Sequence, residues 1–136
     1  MVLPVDFIAA TEFAETAEHR AVAVDDIPAD WMALDVGPQT VELFRREIAG
    51  ARTIFWNGPL GVFEMAPYAG GTLEIARCVA DSDAYSVVGG GDSIAAVNKA
   101  GVADRISHIS TGGGASLEFV EGKILPGIAA LDDKAE

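Results

Sequence analysis

The chain has 136 residues, half of them apolar, enough for one compact domain with a core of its own. Nine Lys and Arg stand against 21 Asp and Glu, a formal net charge of −12; this disfavours nucleic acid and anionic membrane surfaces, which both need clustered cations. The lone cysteine, Cys78, excludes an internal disulfide.

No apolar run reaches the roughly 20 residues that span a bilayer. The first residues lack the basic start and long apolar run of a signal peptide. A cytoplasmic protein with no membrane partner is expected.

Short apolar runs alternate with amphipathic ones. Val5–Ala10 reads as a strand, and Ala21–Val24 as a shorter one suited to an edge. Val41, Phe44, Ile48 and Ala51 then recur at helical spacing, with Glu42, Arg45, Arg46 and Glu47 facing away. Pro38 suits that helix's first turn and Gly50 its end. Thr53–Trp56 reads as a strand, Thr72–Asp81 as a helix and Tyr85–Val88 as a strand. Ser93–Ala100 reads as a helix capped by Gly101, Ile106–Ile109 as a strand and Ser116–Glu121 as a short helix. Alternation of this kind predicts an α/β fold, a three-layer parallel sheet flanked by helices. The strands are few, so residues 1–136 read as one unit, about half of a doubly wound, Rossmann-like domain. Half a sheet leaves an edge and a face uncovered, which invites self-association.

Three glycine-bearing segments follow predicted strands, where open α/β sheets bind ligands. The first is Asn57-Gly58-Pro59-Leu60-Gly61-Val62-Phe63-Glu64. Glu64 can accept hydrogen bonds from paired sugar hydroxyls, and Asn57 can donate or accept; an ordinary strand-to-helix loop is the alternative. The second, Gly89-Gly90-Gly91-Asp92-Ser93, runs into a helix. Its glycines can turn N–H groups toward one point, and the helix dipole favours an anion there. Asp92 would repel a bare phosphate, but a magnesium ion takes one or two carboxylates together with phosphate oxygens. The plainer reading is that Asp92 or Ser93 caps the helix. The third, Ser110-Thr111-Gly112-Gly113-Gly114-Ala115-Ser116, repeats the pattern. The lysine of G-x-x-x-x-G-K-[ST] is absent, and Ile94 breaks G-x-G-x-x-G. None of the nine basic residues lies in these segments, so they can bind a nucleotide but lack the cations that phosphoryl transfer recruits.

The segments resemble phosphoglycerate kinases. The resemblance rests on Trp31-Met32-Ala33-Leu34-Asp35-Val36-Gly37-Pro38, Trp56–Glu64, Gly89–Ser93, His108–Glu118 and Leu125–Leu131, in that order. It implies the C-terminal, nucleotide-binding part of an enzyme that moves a phosphoryl group between 1,3-bisphosphoglycerate and ADP in glycolysis, with magnesium. Carried over, Glu64 would hold the ribose hydroxyls, with Asn57, Pro59, Gly61 and Val62 close to the nucleotide and Leu34 near the adenine. Asp92 would hold magnesium through the nucleotide, and Gly90, Gly91 and Ser93 the phosphates. Gly90, Gly112, Gly113 and Gly114 would offer amides toward the transferred group. A family chain is about three times longer. The resemblance therefore implies that 3-phosphoglycerate is held by an N-terminal domain outside this sequence. The intact parent is expected to be a monomer and this part alone inactive. Ala33 stands where many family members have glycine beside the base.

His108 reads as a satisfied core histidine, Cys78 as a small packing residue, and Trp31 and Trp56 as packing groups.

Overall fold

The computed structural model describes residues 1–132. Strands β1 (Asp6–Ala10), β2 (His19–Ala23) and β3 (Met32–Val36) form a sheet in the order β2-β1-β3, with both pairings antiparallel. Strands β4 (Thr53–Asn57), β5 (Tyr85–Gly89) and β6 (His108–Ser110) form a second sheet in the order β4-β5-β6, all parallel. Three longer helices, α1 (Pro38–Ala49), α2 (Gly70–Asp81) and α3 (Gly91–Lys99), connect the strands; two short ones follow, α4 (Gly114–Val120) and α5 (Pro126–Ala129). The class is α/β, a three-stranded parallel sheet flanked by helices, as the alternation predicts.

The first sheet departs from the expected parallel pairing. Residues 11–18 are too few for a parallel crossover, which needs about a dozen or more. They make a tight return instead, closed by Thr11 N–H to the Glu18 carbonyl at 3.1 Å. β2 lies on an edge, as its length suggested. β3 has no counterpart among the predicted strands: Met32 and Ala33 are exposed while Leu34, Asp35 and Val36 are buried, so it shows no clean alternation. Ile106 is buried just after a 3-10 turn rather than inside β6.

α1 begins at Pro38 as its sequence predicts, and Asp6 fastens that end to β1. The Asp6 carboxylate accepts from Gln39 N at 3.0 Å and from Thr40 N and Oγ1, each at 2.7 Å. The main core lies between α1–α3 and one face of the parallel sheet, around Trp56, Val79, Val88 and Val97. Side chains alternate along a strand, so Phe55 and Val87 point to the opposite face. There α4 and α5 leave an apolar cavity of about 440 Å³.

Candidate functional site

Parallel pairing places the ends of β4, β5 and β6 on one border. Asn57 pairs with Gly89, and Gly89 with Ser110. All three glycine-bearing turns leave the sheet from that line.

The first two turns are joined. Ser93 is 1% exposed, and its Oγ accepts the Gly58 N–H at 2.6 Å. The suggestion that Asp92 or Ser93 caps α3 is not what the structure shows: no side chain at the cap position bonds the helix start, and the Ser93 hydroxyl serves the neighbouring turn. The N-cap is Gly90, whose φ of 90° is costly for any residue with a Cβ. A Cβ there would also stand 3.0 Å from Asn57 Oδ1. The backbone of the second turn thus lies close against the Asn57 side chain of the first. The first N–H groups of α3 are left without helix partners, as at every helix start, and Asp92 is exposed beside them.

Leu34, Pro59, Gly61 and Val62 line one pocket of about 280 Å³ together with Phe7, Ala33, Asp35 and Leu60. Val62 N–H donates to the Leu34 carbonyl at 2.8 Å, and the N–H groups of Leu60 and Gly61 donate to Thr72 Oγ1 at 3.0 and 3.2 Å. Asn57, Glu64 and Asp92 are exposed and lie outside the lining of this pocket.

The third turn stands apart. Gly112 lines the 440 Å³ cavity on the other face, and its N–H bonds Ser110 Oγ at 3.3 Å. Gly113 begins α4 with a φ of 52°. Among the described residues no hydrogen bond joins residues 111–114 to the first two turns; the shared border comes from strand register alone.

Two contacts were invisible in the sequence. Lys99, nine residues into α3, swings its Nζ to the Phe63 carbonyl at 2.6 Å, so one cation does touch the first turn. Asp35 is 2% exposed in the pocket wall. Desolvation raises its pKa from 3.8 to about 6, against hydrogen bonds from Gly71 and Val36 N–H. No spacing signal marks a lone acid in a strand; the close approach of Gly61 and Gly71 reveals it.

His108 is a correction. It is exposed on β6, an edge strand among the described residues, and lines the apolar cavity that α4 and α5 leave there rather than a packed core. Trp56 packs in the core with Nε1 donating to the Gly58 carbonyl at 2.7 Å. Trp31 is half-buried under the Arg20 guanidinium, 4.8 Å from its ring centre. Cys78 is half-buried, and burial raises its thiol pKa, which suits a packing group rather than a nucleophile. Among the described residues no helix is long and apolar enough to cross a membrane.

The family model for phosphoglycerate kinase matches residues 1–123. The chain is 62% identical over 136 residues to a phosphoglycerate kinase of Rubrobacter xylanophilus, covering 100% of this chain and 35% of that protein. It is 58% identical over 134 residues to one from Moorella thermoacetica, covering 98% and 34%. A solved phosphoglycerate kinase structure from Coxiella burnetii superimposes with a TM-score of 0.89 at 47% identity, covering 94% of this chain and 33% of that one. One from Pyrococcus horikoshii gives 0.81 at 41%, covering 94% and 31%. The chain spans about a third of the length of these relatives. By sequence and by fold, it belongs to the phosphoglycerate kinase family.

Proposed function

We propose that residues 1–136 are the C-terminal nucleotide-binding part of a cytoplasmic phosphoglycerate kinase, holding Mg-ADP or Mg-ATP along the border where β4, β5 and β6 end. One observation carries the reading: two turns rich in backbone N–H groups are tied by the Gly58–Ser93 bond beside a pocket lined by Leu34, Pro59, Gly61 and Val62. The pocket is of a size to take a base. Glu64, exposed and two residues after Val62 in the chain, would accept from ribose hydroxyls, with Asn57 at the end of β4 close to the nucleotide. Gly90, Gly91 and Ser93 suit the phosphates, since the start of α3 favours negative charge.

Among the described residues no three His, Cys, Asp or Glu gather as a metal cage. Asp92 alone, exposed next to the phosphate-binding turn, fits a magnesium ion that takes most of its ligands from phosphate and water. When bound, the ion supplies charge neutralisation along the phosphates.

In the parent reaction the acyl phosphate bond of 1,3-bisphosphoglycerate breaks and a bond forms to the terminal phosphate oxygen of ADP, giving 3-phosphoglycerate and ATP. The acceptor is already anionic, so no general base is needed. Gly90, Gly112, Gly113 and Gly114 would offer amides to the migrating group. The other substrate would be bound by a separate N-terminal domain and brought in line by domain closure, which also excludes water. Lys99 is the one described basic residue whose side chain bonds these turns, and its bond goes to a carbonyl. The chain alone is therefore expected to bind nucleotide without turning it over.

Calorimetry of the chain with Mg-ADP and with NAD tests the reading. Binding of Mg-ADP and not NAD supports it; binding of NAD alone, or of neither, refutes it. A coupled assay showing turnover near that of an intact kinase would refute the inactivity.

A second reading, a self-associating unit, is favoured by the apolar cavity under Phe55 and Val87 and by the exposed Phe119, Ile124 and Leu131. Light scattering decides it, since a clean monomer at high concentration argues against association.

A further inference from the structure

Two carboxylates are buried among the described residues, Asp6 and Asp35, each 2% exposed. They are held differently. Asp6 accepts from Gln39 N, Thr40 N and Thr40 Oγ1. Among the described residues Asp35 accepts only from Val36 N at 2.8 Å and Gly71 N at 2.7 Å. For Asp35, burial outweighs these bonds and pushes the pKa up to about 6. Keeping such a group charged at neutral pH weakens the fold around it, which raises the question of what its side chain holds.

It holds the pocket wall. A Cβ on Gly61 would fall 2.3 Å from Asp35 Oδ1, and one on Gly71 would fall 2.5 Å from it. The backbones of the 59–62 turn and of the first turn of α2 therefore lie directly on the carboxylate. Gly71 N–H meets it from the positive end of α2. The next residue, Thr72, takes the Leu60 and Gly61 N–H groups. The residue before Asp35, Leu34, takes Val62 N–H. β3, the turn and α2 meet at this one side chain. With two hydrogen bonds and almost no water, the packed wall favours the neutral carboxyl, whereas the charged form gains by opening toward solvent.

We propose that Asp35 is the positioning residue of this pocket: its side chain holds the Pro59–Val62 turn against β3 and α2, and ionisation loosens the wall and weakens what the pocket binds. The part about the ligand rests on the proposed nucleotide function; the part about the wall does not. The charged groups that line a cavity together with Asp35 are Glu42 and Arg45 on α1 and Glu74 on α2, while Arg46, Glu47, Arg77 and Asp81 on the same helices and Asp6 on β1 lie outside that lining. Arg45 pairs with Glu42 and Glu74 at 3.6 and 3.4 Å on the surface. Residues 58–62 carry no titratable side chain.

The test compares the full chain with its Asp35→Asn variant between pH 5 and pH 8, by amide resonances and by Mg-ADP calorimetry. In the wild type the Gly61, Val62 and Gly71 amides are expected to titrate together near pH 6, and in the variant to stay flat. On acidification Mg-ADP affinity is expected to rise about tenfold in the wild type relative to the variant, a change of the size of one charge-assisted hydrogen bond. The nucleotide's own ionisation is common to both and cancels. Flat wild-type amides, or equal pH dependence in both proteins, would overturn the proposal. If Mg-ADP binds neither protein while the wild-type amides titrate, the wall stands and the nucleotide reading falls. If the variant does not fold, the wild-type titration alone decides, and flat amides overturn the proposal.

Discussion

Ser93 Oγ and Gly58 N–H, 35 positions apart in the chain, meet at 2.6 Å and make one surface of two turns. Ser93→Ala leaves that N–H without its partner in a largely covered place. We expect a loss of about 1–3 kcal/mol of stability and weaker Mg-ADP binding, read by urea denaturation and calorimetry. An unchanged midpoint would mean that the bond holds nothing.

Gly90 and Gly91 offer a paired test. Gly90→Ala must adopt φ near 90° and meet Asn57 Oδ1 at 3.0 Å, an expected cost of about 1–3 kcal/mol. Gly91 opens α3 without a positive φ, and a methyl group there would meet nothing within 4 Å. Gly91→Ala should be neutral or stabilise by up to about 1 kcal/mol. Thermal melts of the two variants showing equal losses would contradict the geometry.

Much of this was legible beforehand, for a physical reason in each case. Pro38 and Gly50 mark the ends of α1 because one lacks an N–H the helix start does not use and the other closes a turn without strain. The strands at 53–57 and 85–89 announce themselves as short apolar runs, since both faces are covered there. β3 was hidden because its buried positions include Asp35, a charge where a strand pattern needs an apolar residue. The antiparallel first sheet was hidden because pairing direction depends on what residues 11–18 can span. Within the site, glycine clusters at strand ends were readable, but the Ser93–Gly58 and Lys99–Phe63 contacts join residues whose separation carries no periodic signal.

Asp92 should matter for the metal and not for the fold. Asp92→Asn is expected to weaken ADP binding in the presence of magnesium by about tenfold, with binding in chelator little changed and stability within about 0.5 kcal/mol of the wild type. Calorimetry with and without magnesium separates these. An equal loss in both conditions would show that the carboxylate acts elsewhere.

Asp35 also sets a pH dependence of stability. Its folded pKa of about 6 lies above the ordinary value of 3.8, so between those values the folded chain keeps a proton that the unfolded chain releases. Stability from this group is fully present below pH 3.8 and is lost as pH rises through about 6, on the order of 3 kcal/mol in all. In denaturation series, the difference between wild type and Asp35→Asn should grow in favour of the wild type as pH falls from 7 to 4. A constant difference would contradict the shift.

The most direct test of the nucleotide border is to add Mg-ADP to the isotopically labelled chain and map which backbone amides shift. Changes clustered at residues 57–64, at Gly90–Ser93 and around Leu34, with the Arg20 and Arg105 regions still, are the expected result. Shifts confined to the cavity under Phe55 and Val87, or none at saturating nucleotide, would contradict it.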